Sequence, residues 1–555
     1  MIKAPTKFIL ISLLTIPALL FAGSETFNAP ESSWVSILPP LIAIALAMIT
    51  RETLISLFAG VWIGVSLLVG DPLNGLVNAL DTYLVHSLSD SGHASIILFS
   101  LGFGGMIGVI SSNGGMKGLV KLAGNLATNR RRGQVTTAAM GVLVFFDDYA
   151  NSLLVGNMMR PFTDSLKISR EKLSYLVDST AAPVASLAVI STWSIFQMSL
   201  LTEPYQQFGI TESPYITFLR SIPYSFYCIL TLVFVYASVL TRRDFGPMKK
   251  AEIRALSTGA VIRPGARPMT DTSSLEKEQY GHKASHWSNA IIPIALVVLV
   301  TVIGLYVTGT RALGENEART IRNIIGEADS YAALMWGAYF ASFAAIFLSV
   351  VTKSLTISES MEAWVKGVKS MSLAAIVLVL AWTLGKVCND LHTAEFLVAI
   401  SSGFITPIIF PAVTFVTAAA ISFSTGTSWA TMSILVPIIM PMALTIMSGD
   451  PNTIVSHSLF AATFASILSG AVFGDHCSPI SDTTILSSMA SGSDHIDHVR
   501  TQLPYAVTVA AVSVLFGYLL NGFGLHWSIS ILLGSVVIFL IIRFKGTRIL
   551  AANYR

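Results

Sequence analysis

Residues 474–484 read Gly-Asp-His-Cys-Ser-Pro-Ile-Ser-Asp-Thr-Thr and lie inside an apolar run from 454 to 490. A helix needs about 20 residues to cross ~30 Å of hydrocarbon, so the run is long enough to span a bilayer. Its middle cannot be plain helix. Pro479 has no amide hydrogen and clashes with the preceding turn, which divides the span into two half-helices with unpaired backbone groups between them. Such backbone is tolerated at membrane depth only where protein or a cavity surrounds it. Asp475 and Asp482 stand on opposite sides of the break. An intramembrane aspartate costs roughly 2.5 to 3.5 kcal/mol on insertion scales, so its presence is first a statement about function.

The chain around this segment has the same character. Of its 555 residues, 53% are hydrophobic and only 12% are charged, about half the ~25% charged fraction of soluble domains. With a mean hydropathy of +0.69, this excludes a disordered chain and argues against a soluble enzyme. Runs of helical length exclude a porin-type barrel, whose strands alternate over about ten residues. The net charge of +3 gives no support for a nucleic-acid partner. Apolar spans are expected at 34–50, 52–70, 94–112, 172–198, 214–240, 288–310, 330–352, 370–392, 454–490, 503–520 and 526–543. The expected fold is an all-α polytopic membrane protein of about 11 transmembrane spans in the bilayer.

Ahead of these, Lys3 and Lys7 precede a short apolar stretch, Phe8 to Ala22, and a polar run through Ser33. Residues 1–33 read as a signal peptide with Ala22-Gly23 as its cleavage site, or as a short retained anchor. Either reading places the stretch before Trp34 outside the cytoplasm. Cys228, Cys388 and Cys477 are too few and too scattered for a disulfide framework or a zinc ribbon, and read as packing residues.

Two further apolar stretches, 135–159 and 413–441, carry polar residues at their centres. Lys117, Lys121 and Arg130 to Arg132 precede the first, and Arg160, Lys167, Arg170 and Lys172 follow it. Basic flanks mark the cytoplasmic side, so both ends of this segment belong there. It reads as a re-entrant hairpin with Asp147-Asp148-Tyr149-Ala150-Asn151 at its tip. The segment 241–287 carries nine basic residues against five acids and reads as a cytoplasmic linker between halves at 34–240 and 288–543. The second hairpin then opens to the outside, and the tail 544–555 ends inside.

The halves also match in sequence. Setting Pro161 against Pro441 brings Thr137-Ala138-Ala139 onto Thr417-Ala418-Ala419 and Tyr149 onto Trp429. Asp178-Ser-Thr-Ala-Ala-Pro183 then falls on Asp475-His-Cys-Ser-Pro479, with one residue deleted. Because the hairpins open to opposite sides, the repeats would be inverted, the arrangement of secondary transporters whose sites lie near the midplane.

The candidate site follows from these breaks. The first tip offers Asp147, Asp148 and Asn151; the second, Ser422 to Trp429, offers Thr427 and Ser428, with Gly426 permitting unwound backbone. Asp178 and Thr180 flank the break at Pro183; Asp475, Ser478, Asp482 and Thr483 flank the one at Pro479. These are hard oxygen ligands of the kind a dehydrated alkali cation takes. One N-cap would account for Asp147 or Asp148, but not for both. His476 reads as a packed, hydrogen-bonded residue, since no zinc ligand set of recognised spacing accompanies it. Trp193 reads as packing, Lys386 and Asp390 as span-end residues, and Asp81 as part of an interfacial stretch, 74–88.

The segments Gly474 to Thr484, Phe146-Asp-Asp-Tyr-Ala-Asn151 and Asp178-Ser-Thr-Ala-Ala-Pro183 resemble the NhaC-type sodium/proton antiporter family of the ion-transporter superfamily. The resemblance covers about residues 34–543. It implies a multi-pass inner-membrane antiporter of Na+ and H+, without a cofactor or a metal beyond the transported Na+. Relatives also exchange organic anions such as malate and lactate, so a Na+- or H+-coupled exchanger of a small organic anion or amino acid is the alternative. A homodimer is expected by analogy with related transporters. A buried carboxylate can take either Na+ or a proton, with Asp148 and Asp475 first in line and Asp147, Asp178 and Asp482 as alternates.

Overall fold

A computed structural model describes residues 33–549 except 51, 117, 119–127, 269–285, 314–318, 320–323, 325–326, 402–405 and 480. The expected signal or anchor segment lies outside the described residues. Apart from a two-residue antiparallel pairing of Arg243–Asp244 with Thr547–Arg548, the described elements are helical. Seven helices are long and apolar enough to cross a membrane, or ten if each bent pair counts as one span. The fold is thus an all-helical, multi-span membrane protein.

The outer face is apolar in the way lipid requires. Phe340, Phe343 and Phe347, on one face of the helix Ser330–Val351, are all more than half exposed. The interior instead holds the polar breaks. The first hairpin runs from Arg130–Leu143 into Asp148–Ser165, and its ends meet: Arg130 donates from Nη1 to the Lys167 carbonyl. The second runs from Phe410–Thr425 into Ser428–Met447, turning at Gly426, whose left-handed φ of 72° suits glycine. Each hairpin is followed by a broken helix. Arg170–Asp178 stops before Ala182–Leu187, where Pro183 sits in the first turn, and Thr192–Ser199 continues beyond. Ser458–Cys477 ends at Ser478 and Pro479, and Ser481 caps Asp482–Ser491 by accepting from the Thr484 amide.

The expected span 214–240 bends by 45° between Tyr224 and Phe226, where Pro223 removes a backbone donor. The interfacial stretch forms helical turns from Pro72 to Ser89, folded back by 117° on Leu54–Val69. The linker is not simply irregular. It contains the helix Gly246–Thr258, ended by Gly259 at φ 76°, which buries Met248, Ala251, Glu252 and Ala255. Pro247 starts this helix and Gly259 stops it.

Candidate functional site

The centre of the site is Asp475, in the last turn of Ser458–Cys477 and 2% exposed. Two hydroxyls point at its carboxylate. Ser428, the first residue after the second hairpin's turn, donates to Oδ2 at 2.9 Å, and Ser481, the cap of the next half-helix, donates to Oδ1. Thr483 Oγ1 lies 2.9 Å from Ser481 Oγ and extends this cluster. A helix C-terminus carries partial negative charge, so Asp475 adds charge where charge is already unfavourable. That is an arrangement for a cation.

Asp482 opens the following half-helix and accepts a 2.5 Å bond from the Tyr149 hydroxyl, which comes from the first hairpin's tip. Asp148 begins the second arm of that hairpin, 1% exposed, with Oδ1 buried and without a hydrogen-bond partner. It faces the charges of Asp147 and Asp482, and Asp475 in turn faces those of Asp482 and Asp148. Asp147 accepts from Thr192 Oγ1 at 3.3 Å, and the Thr192 amide donates to Phe146 O at 3.0 Å, fastening the tip to the first broken helix. No Lys or Arg pairs with Asp148, Asp178, Asp475 or Asp482 among the described residues. Among those residues, too, no three His, Cys, Asp or Glu side chains converge as a metal-ligating group.

The other predicted residues also tie the breaks and hairpins together. Asn151 uses its amide nitrogen on the carbonyls of Gly141 (2.6 Å), Val144 (3.1 Å) and Thr180 (2.9 Å). Two hydrogens thus serve three acceptors, and one side chain ties the hairpin to the broken helix. Its Oδ1 remains buried without a partner. Thr180 donates back to Leu176 O at 2.7 Å and packs so closely that a Cβ on Gly141 would overlap its hydroxyl. Ser478 donates to Phe423 O at 2.8 Å, joining the second break to the second hairpin. Thr427 occupies the N-cap position of Ser428–Met447 without a side-chain capping bond. Asp178 accepts from Gln502 Nε2 at 2.7 Å. His476 is packed and bonded, to Tyr227 OH at 2.7 Å and Ser179 Oγ at 3.0 Å.

The family model for the Na+/H+ antiporter family matches residues 184–523, more than half of the chain. This chain belongs to the Na+/H+ antiporter family. It is a transporter, not an enzyme. An uncharacterized protein of Haemophilus influenzae is 33% identical over 507 residues, covering 90% of this antiporter and 92% of the relative. The malate-2H+/Na+-lactate antiporter of Bacillus subtilis is 36% identical over 123 residues, 21% of this chain and 24% of that one. Among solved structures, the YdaH transporter of Alcanivorax borkumensis is similar at 14% identity and a TM-score of 0.46, over 91% of this chain and 98% of that one.

Within the matched stretch of this antiporter lie Ser428, Asp475, Ser481 and Asp482, whereas Asp147, Asp148 and Asp178 precede it. Sequence reasoning passed over Ser481, although it immediately precedes Asp482, in the position where a cap belongs. It also passed over Trp193 as a contributor: the indole is fully buried, turned towards Asp148, and packed edge-on against Trp429 at 6.1 Å. Gln502 and His498 gave a signal only as polar residues at the edge of an apolar span.

Proposed function

We propose that this antiporter exchanges Na+ for H+ across the bacterial inner membrane, with Asp475 as the carboxylate that takes either ion. The observation that carries the reading is the buried Asp475 held by Ser428 and Ser481, facing Asp148 and Asp482 with no basic residue to neutralise it. Uncompensated buried carboxylates are costly, so the cluster is stable when protons or a cation occupy it. Competition between the two at one carboxylate, with only loaded states reorienting, gives exchange.

The architecture supports this reading. Two hairpin-plus-broken-helix units occur in the same order, one in 34–240 and one in 288–543. The first hairpin's ends lie against the linker helix through Arg130 and Glu252. The second starts beside Gly522, where a Cβ would overlap the Ile408 carbonyl, at the far end of the span that leaves the linker side. Hairpins entering from opposite sides are what inverted repeats require. On this reading the two hairpins stand apart from about eleven spans, Ser372–Asp390 among them, and 241–287 and the tail 544–555 face the cytoplasm.

In proteoliposomes with an imposed Na+ gradient, the purified protein is expected to move protons against Na+ with no organic solute present. Absence of that flux would refute the reading. Replacing Ser481 by Ala removes a donor that supports the charged carboxylate, the form that binds Na+. A hydrogen bond to a charged group contributes about 1.5–3 kcal/mol, so the KM for Na+ should rise about 10- to 100-fold. An unchanged KM would leave Ser481 as a helix cap alone.

A second reading, coupled exchange of a small organic anion, is favoured by a different observation. Trp429 Nε1 is buried without a hydrogen-bond partner and packs on Trp193, the indole turned towards Asp148. Such a donor suits a carboxylate, as carried by the Bacillus relative that exchanges malate and lactate. Flux that requires malate, lactate or an amino acid on one side would select this reading.

A further inference from the structure

We propose that His495, Ser488 and His498 form a proton relay from the linker-side surface to Asp178; this rests on the Na+/H+ reading above. His495 opens the helix His495–Val512 and is partly exposed. Its Nδ1 lies 3.1 Å from Ser488 Oγ, which lies 2.8 Å from His498 Nδ1. Ser488 and His498 are fully buried. On its other edge, His498 Nε2 is 2.8 Å from Gln502 Oε1 and 3.6 Å from Asp178 Oδ2. Hydrogen-bonded groups therefore run from the surface to His498, whose Nε2 stands one 3.6 Å step from an acid at the first helix break.

The hydrogen count in this row is what makes it a relay rather than a packed cluster. Gln502 donates from Nε2 to Asp178 and to the His476 carbonyl, so its Oε1 can only accept, and His498 Nε2 must carry hydrogen. His495 Nε2 faces the Pro479 carbonyl at 2.7 Å and carries hydrogen for the same reason. With both rings neutral, each Nδ1 presents a lone pair to Ser488 Oγ. That hydroxyl has one hydrogen, and the Thr484 carbonyl at 2.8 Å also competes for it. Three acceptors share one donor hydrogen. One added proton relieves the shortage: on His495 Nδ1 it donates to Ser488 Oγ, freeing the hydroxyl hydrogen for His498 Nδ1.

Transfer follows by one shift along the row. The His495 Nδ1–H bond breaks as an O–H bond forms at Ser488. The former Ser488 hydrogen bonds to His498 Nδ1, and the His498 Nε2 hydrogen leaves Gln502 Oε1 as the ring tilts and closes the 3.6 Å gap to Asp178 Oδ2, to which it passes. One proton has left the aqueous side, Asp178 is neutral, and His498 is the opposite neutral tautomer, which a ring turn resets. Charged and titratable neighbours bracket the row at both ends. At the inner end are Asp178, His476 and Asp482. At the outer end are Asp494, Asp497 with Arg263 at 2.8 Å, and Arg170, bonded to Gly492 O at 3.0 Å. The Arg267 amide binds Asp494 Oδ2 at 2.8 Å, which ties the entrance to the linker side.

The test uses the full chain in proteoliposomes, with Na+-driven proton flux and radiolabelled Na+/Na+ exchange measured in parallel. Ser488→Ala is expected to slow proton-coupled flux about a hundredfold, and His495→Ala about tenfold, because water partly replaces an exposed imidazole. Na+/Na+ exchange should stay near wild type in both, and millimolar imidazole should restore proton flux in His495→Ala. Wild-type proton flux in His495→Ala overturns the relay whatever Ser488→Ala does. Parallel loss of both fluxes, unrelieved by imidazole, also overturns it, since a packing role would do that. A wild-type protein without Na+-driven proton flux sinks the exchange reading and the relay with it.

Discussion

Asp475→Asn should reduce Na+-driven proton flux in everted vesicles by about a hundredfold or more while leaving the protein folded in the membrane. The folding half of this expectation comes from what surrounds the carboxylate. Ser428 has a second acceptor in Ala471 O at 3.1 Å, and Ser481 has Thr483 Oγ1 at 2.9 Å. Each hydroxyl can therefore turn its hydrogen elsewhere and accept from the new amide, so no buried donor is stranded. The transport half comes from charge. An amide neither releases a proton nor neutralises a cation, and losing one member of a buried ion pair costs about 3–5 kcal/mol, which corresponds to about 10²- to 10⁴-fold in affinity. Asp482→Asn is the informative companion, since it leaves the Ser428 and Ser481 bonds to Asp475 in place while removing the neighbouring charge and the carboxylate that Tyr149 bonds. Wild-type flux in Asp475→Asn would take Asp475 out of the mechanism.

The helix breaks were legible in the sequence because each is written in local chemistry. Pro479 and Pro183 lack amide hydrogens, Gly426 takes a left-handed φ of 72°, and Asp147 and Asp148 interrupt an apolar run. What local pattern could not give was the use made of each oxygen. Asn151 was expected to lend an oxygen to an ion; its nitrogen also fastens three carbonyls, one of them beyond the hairpin at Thr180. Gln502 meets Asp178 across 324 residues, a pairing that no periodicity within either segment encodes. Trp193 looked like filler because burial and proximity to Asp148 are properties of the fold, not of the tryptophan. The linker helix was missed for a related reason: its buried face contains an acid, Glu252, whose partners all lie outside the linker.

That acid supports the second large effect. Glu252→Gln should destabilise the protein by about 3–5 kcal/mol, the usual loss when one member of a buried ion pair is removed. The Glu252 side chain is 1% exposed. Its Oε2 accepts from Arg130 at 2.5 Å and from Gln134 at 3.1 Å, and its Oε1 accepts from the Ser169 amide at 2.8 Å. Glutamine can keep the Ser169 bond through its carbonyl oxygen. Its NH2 then faces the donors of Arg130 Nη2 and Gln134, and the guanidinium, still bonded to the Lys167 carbonyl through Nη1, loses its counter-charge. Burial opposes the charge on Glu252, but Arg130, Lys172 and the Ser169 amide together hold its carboxyl below the usual glutamate range. A depressed folded-state value means the stabilisation is present above the unfolded value and is lost as pH falls through the folded one. Thermal unfolding in detergent should therefore show wild type losing stability below about pH 4.3, the ordinary glutamate value. The Gln variant should start lower at neutral pH and lack that step. Because the same carboxylate joins the entry of the first hairpin to the start of the first broken helix, the variant should also expose the linker to protease on the cytoplasmic side. Equal unfolding temperatures for the two proteins at pH 7 would show that the linker helix is held by its apolar face alone.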